Sequence, residues 1–314
     1  MQLRWCNGWT KCTGRRLGQL GRCTALISFL FLSVGVLAAC ASSSSAYELP
    51  RTSPAVTTIE NMGSDTLVNL ALAWAEDYMQ LHPEVRISVT GGGSGTGIAA
   101  LINGTVDIAN VSREMKPEEL EQAHANGIIP REFTVARDAI AVVVHPSNPV
   151  TGLTIEQISQ IYTGRITNWR EVGGEDRPIV LLSRESNSGT YMYFLEHVIR
   201  RGDPHDESLF SPDTLLMPSS EGISVEVRQN PNAIGYDGLG YVTPDQKVLA
   251  VAASADGPYV LPSIDTVNQG TYPISRPLYM YTAGEPTGVL KDYLDWIRTE
   301  GQKHVIRLGF VPLR

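Results

Sequence analysis

Cysteine is missing from nearly all of this chain. The four cysteines are Cys6, Cys12, Cys23 and Cys40, so nothing after residue 40 can form a disulfide or a thiolate metal site. Histidine is scarce, and the six present (His82, His124, His145, His197, His205 and His304) show no paired-ligand spacing, so no metal is expected. Nucleotide signatures are absent as well. The glycine-rich run Gly91–Gly97 lacks the Gly-Lys-Ser/Thr ending of a phosphate-binding loop. It also lacks the acid about 20 residues on that a dinucleotide fold needs, the next acid being Asp107. No G-x-S-x-G elbow surrounds Ser94 or Ser188. These gaps exclude the common hydrolase, dehydrogenase and ATPase classes, and we expect neither an enzyme nor a cofactor. Positive charge is short too. The chain carries −8, and residues 1–39 hold five cations and no acid, so residues 40–314 carry −13. Nucleic acid is thereby excluded as a partner, because phosphodiester binding needs a basic face. A small anion is not excluded, since local dipoles and one or two cations can hold it.

What is present begins with an address. Residues 24–39 (TALISFLFLSVGVLAA) form an uncharged apolar run behind a basic segment. The run is shorter than the roughly 20 residues a membrane span needs, and it fits the apolar core of a signal peptide. It ends in Leu37-Ala38-Ala39-Cys40, which resembles the lipobox of bacterial lipoproteins, where cleavage precedes a lipid-modified cysteine. We therefore expect residues 1–40 to be a lipoprotein signal ending in Cys40. The Ser- and Pro-rich residues 41–56 are expected to be a flexible linker.

From residue 57 the chain alternates strand-like and helix-like stretches. Helical spacing runs through Leu67–Leu81, and Val85–Val89 alternates like a strand. A short helix is expected over Gly97–Ile102, a short strand over Val106–Ala109, and a polar helix over Pro117–Ala125 with proline in its first turn. Ala139–Val144 reads as a strand buried on both faces. Later come helices over Thr154–Tyr162, Thr190–Arg200 and Pro286–Thr299, one ending at Val225–Arg228, and strands over Ile179–Ser183 and Ala233–Tyr236. This rhythm predicts an α/β fold with a largely parallel sheet, and no solenoid repeat is present.

Three Gly/Ser/Thr segments each precede a predicted helix: Gly63-Ser64-Asp65-Thr66, Gly91–Gly97, and Arg184-Glu185-Ser186-Asn187-Ser188-Gly189-Thr190. Helix N-termini offer unpaired N–H groups and positive partial charge. Small residues let the backbone approach an anion, and hydroxyls add donors. Each segment alone reads first as an ordinary Ser/Thr N-cap. Three together, one carrying Arg184, point to an oxyanion site.

The chain resembles the phosphate-binding proteins of bacterial phosphate importers. The three segments carry the resemblance, with Val106–Ala109 leading into Ser112-Arg113, IYTGRITNWREVGG at 161–174, NPNAIGYDGLGYV at 230–242 and EGQKHVIRLGFVPL at 300–313. It implies a two-lobed periplasmic-binding-protein clamshell of type II, each lobe a mainly parallel sheet flanked by helices, with two hinge crossovers. Lobe one would be 57–143 plus 274–314, and lobe two 144–273. Carried over by motif, the phosphate ligands would be Ser64, Asp65, Thr66, Ser94, Thr96, Ser112, Arg184, Ser188, Gly189 and Thr190. Some relatives place an acid directly after the serine of the fourth motif, where this chain has Arg113. The matching acid here is Asp138, in ARDAIAVVV, with Asp65 the other possibility. A fixed carboxylate accepts a hydrogen bond from the proton that hydrogen phosphate carries and repels sulfate, which carries none. The implied function is extracytoplasmic binding of inorganic phosphate by a lipid-anchored monomer and delivery to the permease and ATPase of an ABC importer. A carrier of sulfate, molybdate or tungstate, or a phosphate sensor on the same scaffold, are the alternatives.

Overall fold

The computed structural model describes residues 56–313. The signal, Cys40 and linker expectations therefore lie outside the described residues, save Val56.

The strands are β1 (Thr57–Gly63), β2 (Val85–Thr90), β3 (Ile108–Val111), β4 (Arg131–Val144), β5 (Gly152–Thr154), β6 (Val180–Arg184), β7 (Leu215–Met217), β8 (Ala233–Gly238), β9 (Lys247–Ala252) and β10 (Ser275–Thr282). The helices are α1 (Asp65–Leu81), α2 (Ser94–Ile102), α3 (Pro117–Ala125), α4 (Ile155–Tyr162), α5 (Gly189–Phe194), α6 (Ser220–Gln229), α7 (Ile264–Asn268), α8 (Gly288–Arg298) and α9 (Gln302–Arg307).

The strands order as β2-β1-β3-β10-β4-β8-β6-β7, with β9 joining β4 to β5. Five pairings are parallel: β1–β2, β1–β3, β5–β9, β6–β7 and β6–β8. Every antiparallel pairing involves β4 or β10. The reason lies in β4, whose 14 residues are long enough to serve two sheets. Its first part, Arg131–Ala139, pairs with β10, and Ile140–Val144 turns to β8. Only the second half reads as a strand in the sequence. The first half carries charges, which a crossing strand tolerates where cross-strand partners meet them.

Two main apolar cores flank this crossing. One is built by residues from Ile59 to Ala136 and Leu278 to Phe310, around Trp74, Tyr78 and Tyr293, with Tyr241 reaching in from the other half. The other is built by residues from Ala139 to Ile274, around Tyr162, Trp169 and Phe194, joined by Val311. Two compact halves joined by paired strands form the clamshell. Tyr162 and Trp169 are wholly inside the second core. Their polar atoms are met there, Tyr162 Oη by Leu182 O at 3.2 Å and Trp169 Nε1 by Asn232 O at 2.9 Å.

Several boundaries shift from expectation. α2 begins at Ser94, because Gly93, at φ +94°, serves as its N-cap. β3 starts at Ile108, and Asp107 lies just before it, its carboxylate accepting Glu60 N–H at 2.8 Å. α5 ends at Phe194 and continues as a π turn over Leu195–Ile199.

Candidate functional site

Gly63 ends β1 at φ +143°, with Asn110 O only 2.2 Å from where a Cβ would stand. That close approach of β1 to β3 aims Ser64 at the mouth of the next loop. Ser64 N–H donates to Asn110 O at 2.8 Å, and its hydroxyl caps nothing. Instead Ser64 Oγ donates to Ser112 Oγ at 2.9 Å. Ser94 likewise caps nothing: its Oγ accepts Ser112 N–H at 3.1 Å and lies 3.2 Å from Ser112 Oγ. Three hydroxyls from three separate loops thus meet, and all three residues are buried. At these two segments N-capping loses to clustering.

The third segment behaves differently. Ser188 is a conventional N-cap, accepting Thr190 N–H at 3.2 Å and Tyr191 N–H at 3.4 Å. Its neighbours face the hydroxyls. A Cβ on Gly189 would stand 2.3 Å from Ser94 Oγ and 2.5 Å from Ser112 Oγ, so only glycine brings α5 this close. Thr190 Oγ1 lies 2.8 Å from Thr66 Oγ1, across the cleft.

One residue at the centre escaped the sequence reading. Arg276, 2% exposed, donates to Ser112 O at 2.8 Å, Thr190 Oγ1 at 2.8 Å, Thr66 Oγ1 at 3.3 Å and Asp138 Oδ2 at 3.1 Å. It is the register partner of Asp138 across β10 and β4. Asp138 is fully buried, and its other oxygen accepts Leu239 N–H at 3.2 Å. Burial pushes its carboxyl above the usual range, while Arg276 pulls the other way. Two nearer cations do not pair with Asp138. Arg137, adjacent in the strand, points to the other face. Arg113 is held by Glu119 at 2.6 and 2.7 Å. The legible signal for Arg276 was a lone cation inside the strand SRPLYMYT.

Arg184, 1% exposed, is heavily committed. It donates to Asp65 Oδ2 at 2.6 Å, Ser220 Oγ at 3.0 Å, Pro218 O at 3.0 Å and Met217 O at 3.3 Å. The Asp65 contact crosses the cleft, and Asp65 Oδ1 also accepts Gly92 N–H at 3.1 Å. Asn187 makes a second crossing, its carbonyl accepting Gly95 N–H at 3.0 Å and its amide donating to Gly92 O at 2.8 Å. Thr96 is exposed, with its hydroxyl given to Gly92 O at 2.7 Å, so it stands outside the cluster. Behind Arg184 lies Asp237, 1% exposed, whose carboxyl is pushed up to about 7, mainly by burial. In the sequence Asp237 stands out only as one residue of the segment 230–242.

The structure therefore gathers Ser64, Thr66, Ser94, Ser112, Asp138, Gly189, Thr190 and Arg276 into one buried cradle. It sets Asp65 with Arg184 beside them as a latch. A cradle of hydroxyls and one buried guanidinium can satisfy the acceptors of a tetrahedral oxyanion. No cluster of histidine, cysteine or carboxylate ligands able to hold a metal occurs among the described residues.

Comparison with known proteins agrees with this chemistry. A family profile, the PBP superfamily domain, matches residues 50–300. The phosphate-binding protein PstS of Pseudomonas aeruginosa is 34% identical, with 94% of this chain and 95% of that protein covered. PstS of Bacillus subtilis is 33% identical over 80% of this chain and 79% of that protein. A candidate phosphate ABC transporter substrate-binding protein of Clostridium perfringens, solved with bound phosphate, superposes with a TM-score of 0.73. It has 33% identity, and 82% of this chain and all of that chain are covered. This chain belongs to the PBP superfamily and, within it, to the family of the phosphate-binding protein PstS.

Proposed function

We propose that this protein captures inorganic phosphate outside the cytoplasm and hands it to an ABC importer, performing no chemistry itself. The observation that carries the reading is the hydrogen-bonded cluster of Ser64, Ser94 and Ser112, against which Gly189 packs from across the cleft while Thr190 accepts from Arg276. Phosphate bonded to both halves favours the closed state over the open one, so ligand shifts the population toward closure. The moving bodies are the two expected halves, with their boundaries set where β4 leaves β10 for β8 at Ala139–Ile140 and where the chain returns at Ile274 into β10, and these two crossings are the hinge. The Asp65–Arg184 pair and the Asn187 contacts also cross the cleft, and they reinforce the closed form.

Selectivity falls to Asp138. Its carboxylate, sealed from water and held by Arg276, accepts a hydrogen bond from the hydroxyl of hydrogen phosphate and confronts fully ionised sulfate with repulsion. Arg184, through Asp65, steadies the edge of the cradle. Energy for release comes from the importer's ATPase, and the closed form is what its permease recognises. We assign the protein to the membrane surface through lipid on Cys40, with residues 41–56 as the tether. Among the described residues no helix is long and apolar enough to cross a membrane. Calorimetric titration of the purified protein tests the reading: one tight phosphate site that excess sulfate does not disturb supports it, and a preference for sulfate or molybdate overturns it.

A further inference from the structure

One guanidinium stands between two carboxylates, one from each half. Asp65 reaches Arg184 across the cleft, Oδ2 to Nη2 at 2.6 Å. Asp237 lies beside it within its own half. β6 and β8 run parallel, with Val180 beside Ala233 and Leu181 beside Ile234. The same register carries Ser183 to Tyr236 and Arg184 to Asp237, and the Ser183 Oγ–Tyr236 Oη contact of 2.6 Å shows that it persists to the strand ends. Arg184 and Asp237 therefore project to one face, the face on which Leu182 and Ala233 pack against Ile223 of α6. Ser220, the first residue of α6, completes the group by accepting Arg184 Nη1–H at 3.0 Å. The two acids are not served alike. Asp65 is partly exposed and also accepts Gly92 N–H. Asp237 is buried; one oxygen accepts the N–H of Gly238 at 2.8 Å, and the other has no hydrogen-bond partner. An ionised carboxylate in that setting is costly, and a protonated one is not. Burial first, and then Asp138 on β4, favour the protonated form; Arg184 opposes them, and the carboxyl stands at about 7. The other titratable groups nearby are Tyr241, in the turn after β8, and Glu221 of α6, neither of them a cation.

We infer that Asp237 is a positioning residue for phosphate capture: it holds Arg184 within its own half while the cleft is open, and it yields the guanidinium to Asp65, taking a proton from solvent, as the cleft closes. The inference rests on the cleft being a phosphate site that closes on its ligand. In the open form Asp65 withdraws with its half, water enters, and Asp237 is the carboxylate left beside Arg184. Both changes favour ionised Asp237. Closure reverses both. Asp65 then takes Arg184 Nη2, water leaves, and the unpartnered oxygen of Asp237 is the place for the proton. The carboxyl of the closed form therefore titrates higher than that of the open form, and closing takes up a proton near neutral pH. The resulting contribution to phosphate affinity is complete below the open-form value. It is lost as pH rises through the closed-form value of about 7. One cation shared by two carboxylates in this way makes the Asp65–Arg184 latch stronger in mild acid than in mild base.

The test is calorimetric titration of the purified protein with phosphate at pH 6, 7 and 8, beside Asp237→Asn. The ionisation of phosphate itself acts on parent and variant alike, so the ratio of their affinities isolates Asp237. The variant keeps the shape of the side chain and cannot ionise. Its affinity should exceed the parent's by a factor that grows about tenfold from pH 6 to pH 8. Titrations at pH 7 in buffers of different ionisation heat should show the parent taking up about half a proton more per phosphate than the variant. In an Asp65→Asn background the growth of the ratio should shrink, because Arg184 then has no second carboxylate to serve. A merely structural Asp237 gives a ratio that is constant with pH. That result, equal proton uptake by the two proteins, or undiminished growth in the Asp65→Asn background overturns the inference and leaves the phosphate site standing. Parent protein that binds no phosphate even at pH 6 overturns the functional reading itself.

Discussion

Replacing Gly189 with alanine isolates closure from folding. Gly189 opens α5 at its first helical position, where alanine fits the helical backbone at least as well as glycine, so the fold itself does not lose. Closure does. The new methyl would sit 2.3 Å from Ser94 Oγ and 2.5 Å from Ser112 Oγ, about 1 Å inside ordinary contact. Backing α5 away parts Thr190 from Thr66 and Arg276, and rotating the two serines breaks their bonds to each other and to Ser64. Either route loses two or three buried hydrogen bonds, about 2–4 kcal/mol, or roughly 30- to 1,000-fold in phosphate affinity. The assay pairs calorimetry with small-angle scattering. The variant should bind weakly and show a reduced phosphate-induced fall in radius of gyration, with a melting temperature equal to or above that of the parent. Affinity within twofold of the parent would refute the reasoning, since it would mean that α5 never meets the serines in the bound form.

Arg276→Met strands Asp138 in a fully buried site and should destabilise the fold by about 3 kcal/mol, seen as a fall of roughly 6–12 °C in thermal melts. The double variant with Asp138→Asn should recover most of that loss. Asp237 carries a carboxyl raised to about 7 in the fold. Its ionisation therefore opposes folding above that pH, and the penalty fades as pH falls toward 4. Asp237→Asn should raise the melting temperature at pH 8, by at most about 4 kcal/mol of stability, and change little at pH 4. An equal gain at both values would refute that assignment. Cys40→Ser should move the protein from membrane to soluble fractions of the producing cell, and unchanged membrane association would remove the lipid anchor from the account.

Local elements were legible because their signals are local. Apolar spacing marked α1, proline at the first turn marked α3, and the unbroken apolar run marked the second half of β4. Ser64 and Ser94 were found through their glycine neighbours. What the sequence hid depends on distant pairing. Arg131–Asp138 reads as surface because four of its eight residues are charged, yet β10 covers it. Arg276 and Asp138 are 138 residues apart and become partners only through register. Ser188 looked like its two counterparts, but its loop lets the hydroxyl fold back on its own helix. Thr96 lies two residues from Ser94, and the roughly 200° of helical rotation between them turns it outward to Gly92.

The account rests most directly on phosphate titration by calorimetry, in buffer and in excess sulfate, for the parent protein and Asp138→Asn. It predicts tight one-to-one binding that sulfate leaves unchanged in the parent, and sulfate competition in the variant. Parent protein that binds sulfate as well as phosphate, or neither, would contradict it.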